Sequence, residues 1–154
     1  MPKGVRTIYV SATAGGGGGS CGSGRSSSGG NTQPVSYRGG SGGHGACINR
    51  EPMIVNPQQV IEITVGNGGQ GSSAGNGSAG TATIVGESTL AGGGGGIWER
   101  NGNGYAGSSP SPNGCDTSSW GSYSSRGSGG AGGYGISYYT AGSAGQNGYV
   151  RIEW

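Results

Sequence analysis

Few residues in this chain could do covalent or metal chemistry, and none stands in the company that such chemistry needs. His44 is the only imidazole, so the Ser-rich tracts have no base beside them to make a nucleophile. His44 also lies inside a glycine tract with no ligand partner at metal spacing, and it is read as a solvent-facing residue. The cysteines are Cys21, Cys47 and Cys115, with no Cys-x-x-Cys motif among them. An odd count leaves at least one thiol unpaired or intermolecular. Buried or incidental thiols are the favoured reading, and a single pair could be bridged if the protein works outside a cell. The six carboxylates are scattered, and Glu62, Glu87 and Glu153 fall on or near strands where they face solvent. No two are poised for acid–base work.

Ligand-binding signatures fare no better. Gly-x-Gly-x-x-Gly arises by chance in so glycine-rich a chain, and no occurrence opens a helix in a βαβ unit. Lys3 is the only lysine, so no phosphate-binding loop of the Gly-Lys-Ser kind exists. The seven arginines are spread singly, and Arg38-Gly39-Gly40 is one Arg-Gly-Gly site, not a repeated tract. These observations lead us to expect no enzymatic activity, no cofactor, no metal and no nucleic-acid partner. No apolar run approaches the length of a membrane span or a signal peptide, so no membrane insertion is expected.

The chemistry that remains is recognition. The chain has three Trp and eight Tyr but no Phe. Seven of these eleven lie in the segments with fewer glycines: Tyr37 in 31–38, Trp98 in 97–101, Trp120 and Tyr123 in 108–126, and Tyr134, Tyr138 and Tyr139 in 134–141. Tyr and Trp are the residue types that dominate binding hot spots and antibody-like loops. These seven are the candidate receptor-binding residues. Each could instead cover a sheet edge or anchor a glycine layer.

Something must hold those segments in place, and an ordinary core cannot. Glycine supplies 42 of 154 residues, against a usual share of about 7%. Hydrophobic residues are 29% and charged residues 9%. Either the chain is disordered or its backbone is its core. Disorder usually accompanies high net charge and few aromatics, whereas here the net charge is +2.

The glycines are spaced for order. Residues 60–96 read as the organising stretch. In it, Gly68, Gly71, Gly77 and Gly80 repeat at three-residue intervals, with Ala74 in the missing place. The same period recurs at Gly16, Gly19 and Gly22, at Gly39, Gly42 and Gly45, at Gly127, Gly130 and Gly133, and at Gly142, Gly145 and Gly148. Three residues per turn is the pitch of the polyproline II helix, and glycine on every third position lets another backbone approach closely. A flexible Gly/Ser linker is the alternative, but patterned strands bracket the tracts. Ile8, Val10 and Ala12 share one face of 5–12. Ile61, Ile63 and Val65 share one face of the strand before Gly66, Ala82 and Ile84 one face of Thr81 to Val85, and Val150, Ile152 and Trp154 one face of the last strand. Met53 to Val55 reads as a short edge strand bracketed by Pro52 and Pro57.

The expected fold is therefore mainly β and irregular. Short β-strands join bundled polyglycine II helices in a single domain over 1–154, with essentially no α-helix. Ordering glycine costs more entropy than ordering any other residue, so an oligomer, such as a trimer, is a natural source of added stability.

Several segments also resemble a known family. The strand running into GGGGG, then ITVGNGGQG, TATIVG, a second GGGGG and the closing GQNGYVRIEW are similar to the glycine-rich domain of tail-fibre and tail-tip receptor-binding adhesins of bacteriophages. The likeness covers nearly the whole chain and is most specific at VIEITVGNGG and GYVRIEW. It implies a polyglycine sandwich whose end loops bind a bacterial surface receptor, either an outer-membrane protein or a glycan. It further implies a tail-fibre shaft or homotrimer as partner and a place at the tail tip of the virion. No single binding residue carries over, because those loops differ between members. No separate N-terminal attachment module is read in these residues, so the expectation is a tip subunit or a piece of a longer fibre. The alternative function is structural or ice-binding, as in polyglycine II antifreeze proteins, against which the irregular Tyr- and Trp-bearing inserts speak.

Overall fold

The structure is a computed structural model that describes residues 1–25, 35–100, 102–110, 125–135 and 139–154. Among these residues there is no helix, and the regular elements are nine short strands. They are β1 (Thr7–Thr13), β2 (Ser23–Arg25), β3 (Val35–Arg38), β4 (Cys47–Ile54), β5 (Ile63–Thr64), β6 (Thr83–Val85), β7 (Ser88–Leu90), β8 (Tyr134–Gly135) and β9 (Tyr149–Glu153). They form three antiparallel sheets, β4-β1-β9, β5-β6-β7 and β2-β3-β8. Between the sheets run glycine tracts that hydrogen-bond sideways.

The centre of the molecule is the tract 14–22, not the 60–96 stretch. Residues 10–23 are buried without a break. Each successive N–H of the tract turns to a different neighbour. Those of Ala14, Gly17 and Ser20 donate to Ala46, Gly43 and Gly40. Gly15, Gly18 and Cys21 donate to Thr81, Ser78 and Gly75, while Gly16, Gly19 and Gly22 donate to Gln146, Ser143 and Thr140. The carbonyls are shared out in the same threefold way among three further tracts. Gly15 and Gly18 accept from Gly93 and Gly96, Gly16 and Gly19 from Gly69 and Ser72, and Gly17 and Ser20 from Gly130 and Gly133. This is the threefold geometry of a polyproline II-type helix, whose backbone groups all point outward. Here they meet other backbones instead of water.

Six tracts thus surround one. Bonds of 2.8–2.9 Å also close the ring from neighbour to neighbour, in the order 39–46, 91–97, 75–82, 66–72, 140–148, 127–133 and back to 39–46. Tracts that accept from the centre alternate around the ring with tracts that donate to it. The register of the bonds makes the acceptors antiparallel to the centre and the donors parallel. An eighth tract, 104–109, lies outside the ring against 39–46 and 91–97. Buried backbone groups are satisfied by each other, which is what a chain short of apolar side chains requires.

The close packing explains the glycines. A Cβ added at any of Gly15 to Gly19 would sit far inside van der Waals contact with a carbonyl of a neighbouring tract, at Asn67, Ser128, Gly94, Gln70 and Ala131 in turn. The period-three rows read from the sequence are hydrogen-bond rows. Gly39, Gly42 and Gly45 donate to Gly133, Gly130 and Gly127, and Gly142, Gly145 and Gly148 donate to Ser72, Gly69 and Gly66.

One tract differs from its sequence reading. Residues 68–80 do not form one thirteen-residue helix but double back through bends at 73–75, where Ala74 is exposed. Two arms result, paired through Ser78 to Gln70 and Thr81 to Asn67. Each arm thereby gives one side to the central tract and another to its partner, so more backbone groups are satisfied than in a single straight tract.

Where the tracts end, strands begin. At the first end, called the sheet end, β1, β4, β9, β5, β6 and β7 continue the tracts, and a small core forms from Ile8, Val10, Ala12, Ala14, Ala46, Val55, Val85 and Leu90. The expected inward face of β1 is confirmed, with Ile8, Val10 and Ala12 fully buried. Val150 and Ile152 also pack against this core, but Trp154, expected beside them, is 71% exposed. The face of β6 is the reverse of that expected. Thr83 and Val85 are buried and Ile84 points outward, because the Thr83 hydroxyl is held between two backbone groups inside. Ile63 and Val65 stay 44% and 45% exposed, since no second layer covers that face of the short β5. The edge strand is longer than expected: β4 runs through Pro52, which stands opposite Tyr9. As the outer strand of its sheet it tolerates a residue without an N–H.

Candidate functional site

At the other end of the bundle the tracts hand over to β2, β3 and β8 and to the segments around 97–105 and 139–140. Arg38 lies opposite Tyr134 across the β3–β8 pair, Gly22 bridges to Thr140, and Ile97 bridges to Tyr105. The tracts therefore deliver four aromatic-bearing segments, distant in the chain, to one end.

Of the seven candidate residues, Tyr37, Trp98, Tyr134 and Tyr139 lie among the described residues, and all four stand at this end. Trp120, Tyr123 and Tyr138 lie outside the described residues. The described residues flanking 111–124 belong near the sheet end, where the Ser109 hydroxyl accepts from the His44 N–H and the Ser125 carbonyl accepts from Ser128. His44 itself is exposed, as expected.

The four aromatics are not equivalent. Tyr37 sits in the middle strand of its sheet and is half-buried, which suits a supporting role. Trp98 is also half-buried. Its N–H donates to Asn76 Oδ1 at 2.7 Å, and its ring meets that of Tyr139 edge-on, with centroids 6.3 Å apart. That is a favoured aromatic geometry. The indole Nε1 is buried with no hydrogen-bond partner among the described residues. Tyr139 is 61% exposed. Tyr134 presents its ring to the Arg38 guanidinium, 5.1 Å from the centroid, and its hydroxyl lies 3.1 Å from Ser36 Oγ. The cation braces the ring while leaving it about half exposed.

Sequence reasoning missed Tyr105. It is 60% exposed and is pinned to the bundle by two backbone bonds with Ile97. A hydrogen bond to Glu99, together with that carboxylate's charge, pushes its phenol above the ordinary tyrosine range. Tyr105 belongs to a short glycine-flanked stretch, and the cue that could have found it is the match of GYAG to the other tracts. Beside Tyr134 runs a groove of about 620 Å³ between tracts 104–109 and 127–133, floored by Gly39 and Gly40.

Among the described residues no group of three or more His, Cys, Asp or Glu could hold a metal ion. Cys21 is free and buried in the central tract, and burial pushes its thiol up. Cys47 is disulfide-bonded, which is the alternative and not the favoured of the two sequence readings of the thiols. No helix among the described residues is long and apolar enough to cross a membrane.

The whole chain, residues 1–154, matches the family model described as a glycine-rich domain, and the chain belongs to that family. Among curated proteins none matches the sequence.

Proposed function

We propose that this protein is a receptor-binding tip adhesin of a bacteriophage tail fibre, which attaches to a bacterial surface receptor through the aromatic end of its glycine bundle. The observation that carries the reading is the gathering of Trp98, Tyr105, Tyr134 and Tyr139 at one end of a platform held by backbone bonds. Rigid aromatic side chains on a pre-organised support bind with little further entropy cost. Aromatic faces and the neighbouring amides, Asn76 and Asn103, suit a glycan or the exposed loops of an outer-membrane protein. The resemblance to tail-tip adhesins points the same way. In this reading the opposite end, where Ile54 and Val60 are 81% and 85% exposed, joins a tail-fibre shaft or two further copies, and the protein works at the tail tip of the virion.

The test is adsorption of the purified chain to intact bacteria from a host panel. Trp98, Tyr105, Tyr134 and Tyr139 are replaced by Ala one at a time, with folding checked first. One or more variants should lose about thirtyfold in affinity, the size of a 2 kcal/mol hot spot. Binding to no host, or unchanged adsorption by all four folded variants, would overturn the reading. Low charge also predicts adsorption with only a weak salt dependence.

A further inference from the structure

We infer that the groove beside Tyr134 is a vacant place in the bundle's own lattice, and that it accepts an extended strand with glycine at every third position from another chain. The inference rests on backbone geometry and not on the reading of the aromatic end.

A threefold tract directs its backbone groups to three sides. In tract 127–133, Gly130 and Gly133 donate to the central tract, and the carbonyls of Ser128 and Ala131 accept from tract 140–148. That leaves the row of Gly129 and Gly132, whose N–H groups donate to none of the described residues. In tract 39–46, Gly39 and Gly42 donate to tract 127–133, but their carbonyls accept from none of the described residues. These two unspent rows adjoin: a Cβ on Gly129 or Gly132 would run into the carbonyl of Gly42 or Gly39. They meet at the groove that Gly39, Gly132 and Ala106 line. Two donors and two acceptors, each pair three residues apart, thus look onto one channel that none of the described residues fills. At about 3.1 Å per residue, each pair is spaced roughly 9 Å, the repeat of another threefold strand.

The molecule already fills the adjoining channel in this way. Tract 104–109 lies between 39–46 and 91–97. It donates from Gly104 and Gly107 to the carbonyls of Arg38 and Ser41, and it accepts from Gly94 at Ser108. Its glycines are obligatory, because a Cβ on Gly104 or Gly107 would meet the carbonyl of Ile97 or Gly94. The vacant channel offers the same pairing of one carbonyl row with one N–H row. Its occupant must obey the same rule, a glycine wherever the backbone touches the wall. The mode is the polyglycine counterpart of adding a strand to a sheet edge, with affinity from main-chain bonds and selectivity from sterics.

The test uses the intact protein, isotopically labelled, titrated with a synthetic Gly-Tyr-Ala-Gly-Ser-Ser peptide that copies residues 104–109. The amide resonances of Gly129 and Gly132 should shift and become protected from exchange at millimolar peptide. Those of Gly71 and Gly95, whose N–H groups face outward elsewhere, should stay in place. A peptide with Val at both glycine positions should bind at least tenfold more weakly. Ala106→Trp, at an exposed residue on the channel wall, should block binding while the remaining spectrum stays native. Unchanged resonances at Gly129 and Gly132 throughout the titration would overturn the inference. So would equal binding of the Val peptide, or equal binding by a folded Ala106→Trp variant.

Discussion

The hydroxyl of Thr83 donates to the carbonyl of Thr13 at 2.9 Å across seventy residues of sequence, and the same oxygen accepts from the Gly66 N–H at 2.8 Å. Both threonines are buried where strand geometry gives way to threefold geometry. The ladder of β1 ends there, and the hydroxyl fills the place that a backbone group fills one step further along. Thr83→Val keeps the shape and orphans a buried carbonyl and a buried N–H. We expect a loss of about 1–3 kcal/mol per stranded group, read from denaturant midpoints, with Thr83→Ser retaining most of the stability.

Glycine positions separate sharply by what a methyl group would meet. At Gly18 it would strike the Gln70 carbonyl, whereas at Gly75 nothing lies within 4 Å. Gly18→Ala should therefore cost at least about 3 kcal/mol, the upper end for overpacking. Gly75→Ala should be neutral or stabilising by up to about 1 kcal/mol through the unfolded chain. Thermal melts of the two variants beside the parent provide the check, and equal melting would contradict the packing described above.

Hydrogen exchange should grade the bundle from inside out. Amides of 15–22 each donate to another tract within buried surroundings and should exchange only through global opening. The amides of Gly71 and Gly95, which donate to none of the described residues, should exchange near the free-peptide rate. Equal protection in both groups would exclude the ring of six around one.

The Tyr105 phenol provides a pH handle. Its accepting partner is the Glu99 carboxylate, which favours the protonated phenol and raises its titration. The linked stabilisation is therefore fully present below the ordinary tyrosine range and is lost as pH rises through the raised folded value. Glu99→Gln should bring the phenol back toward its ordinary range in an ultraviolet titration, and no movement would show that another group sets it.

Much of this architecture was legible in the sequence because the bundle's rule is a spacing rule. Every third residue shares a side, so Gly39, Gly42 and Gly45 could be read as one row before any partner was known. Which row meets which was not legible. A backbone bond leaves no mark on residue type, and Gly16 could as well have faced Gly43 as Gln146. The bend at 73–75 escaped because Ala74 fits the period, and only the demand of both arms for the central tract selects the turn. At Thr83 the alternation misled because a threonine that bonds backbone is better inside than Ile84. The aromatic candidates were found by type alone. Their assembly, including Tyr105, depends on which ends of the tracts coincide.

The closed ring also decides how the molecule would respond to a pull. A tether held at the sheet end and drawn from the segments around Trp98 and Tyr134 would load the tracts lengthwise. The bonds between tracts run across that direction, so tension would shear many of them at once instead of peeling them singly. Because the central tract is bonded on all six sides, no neighbour could slide past it without breaking a whole row. A small chain with scarcely any apolar interior would in this way hold under traction, its strength set by the number of parallel bonds in a row.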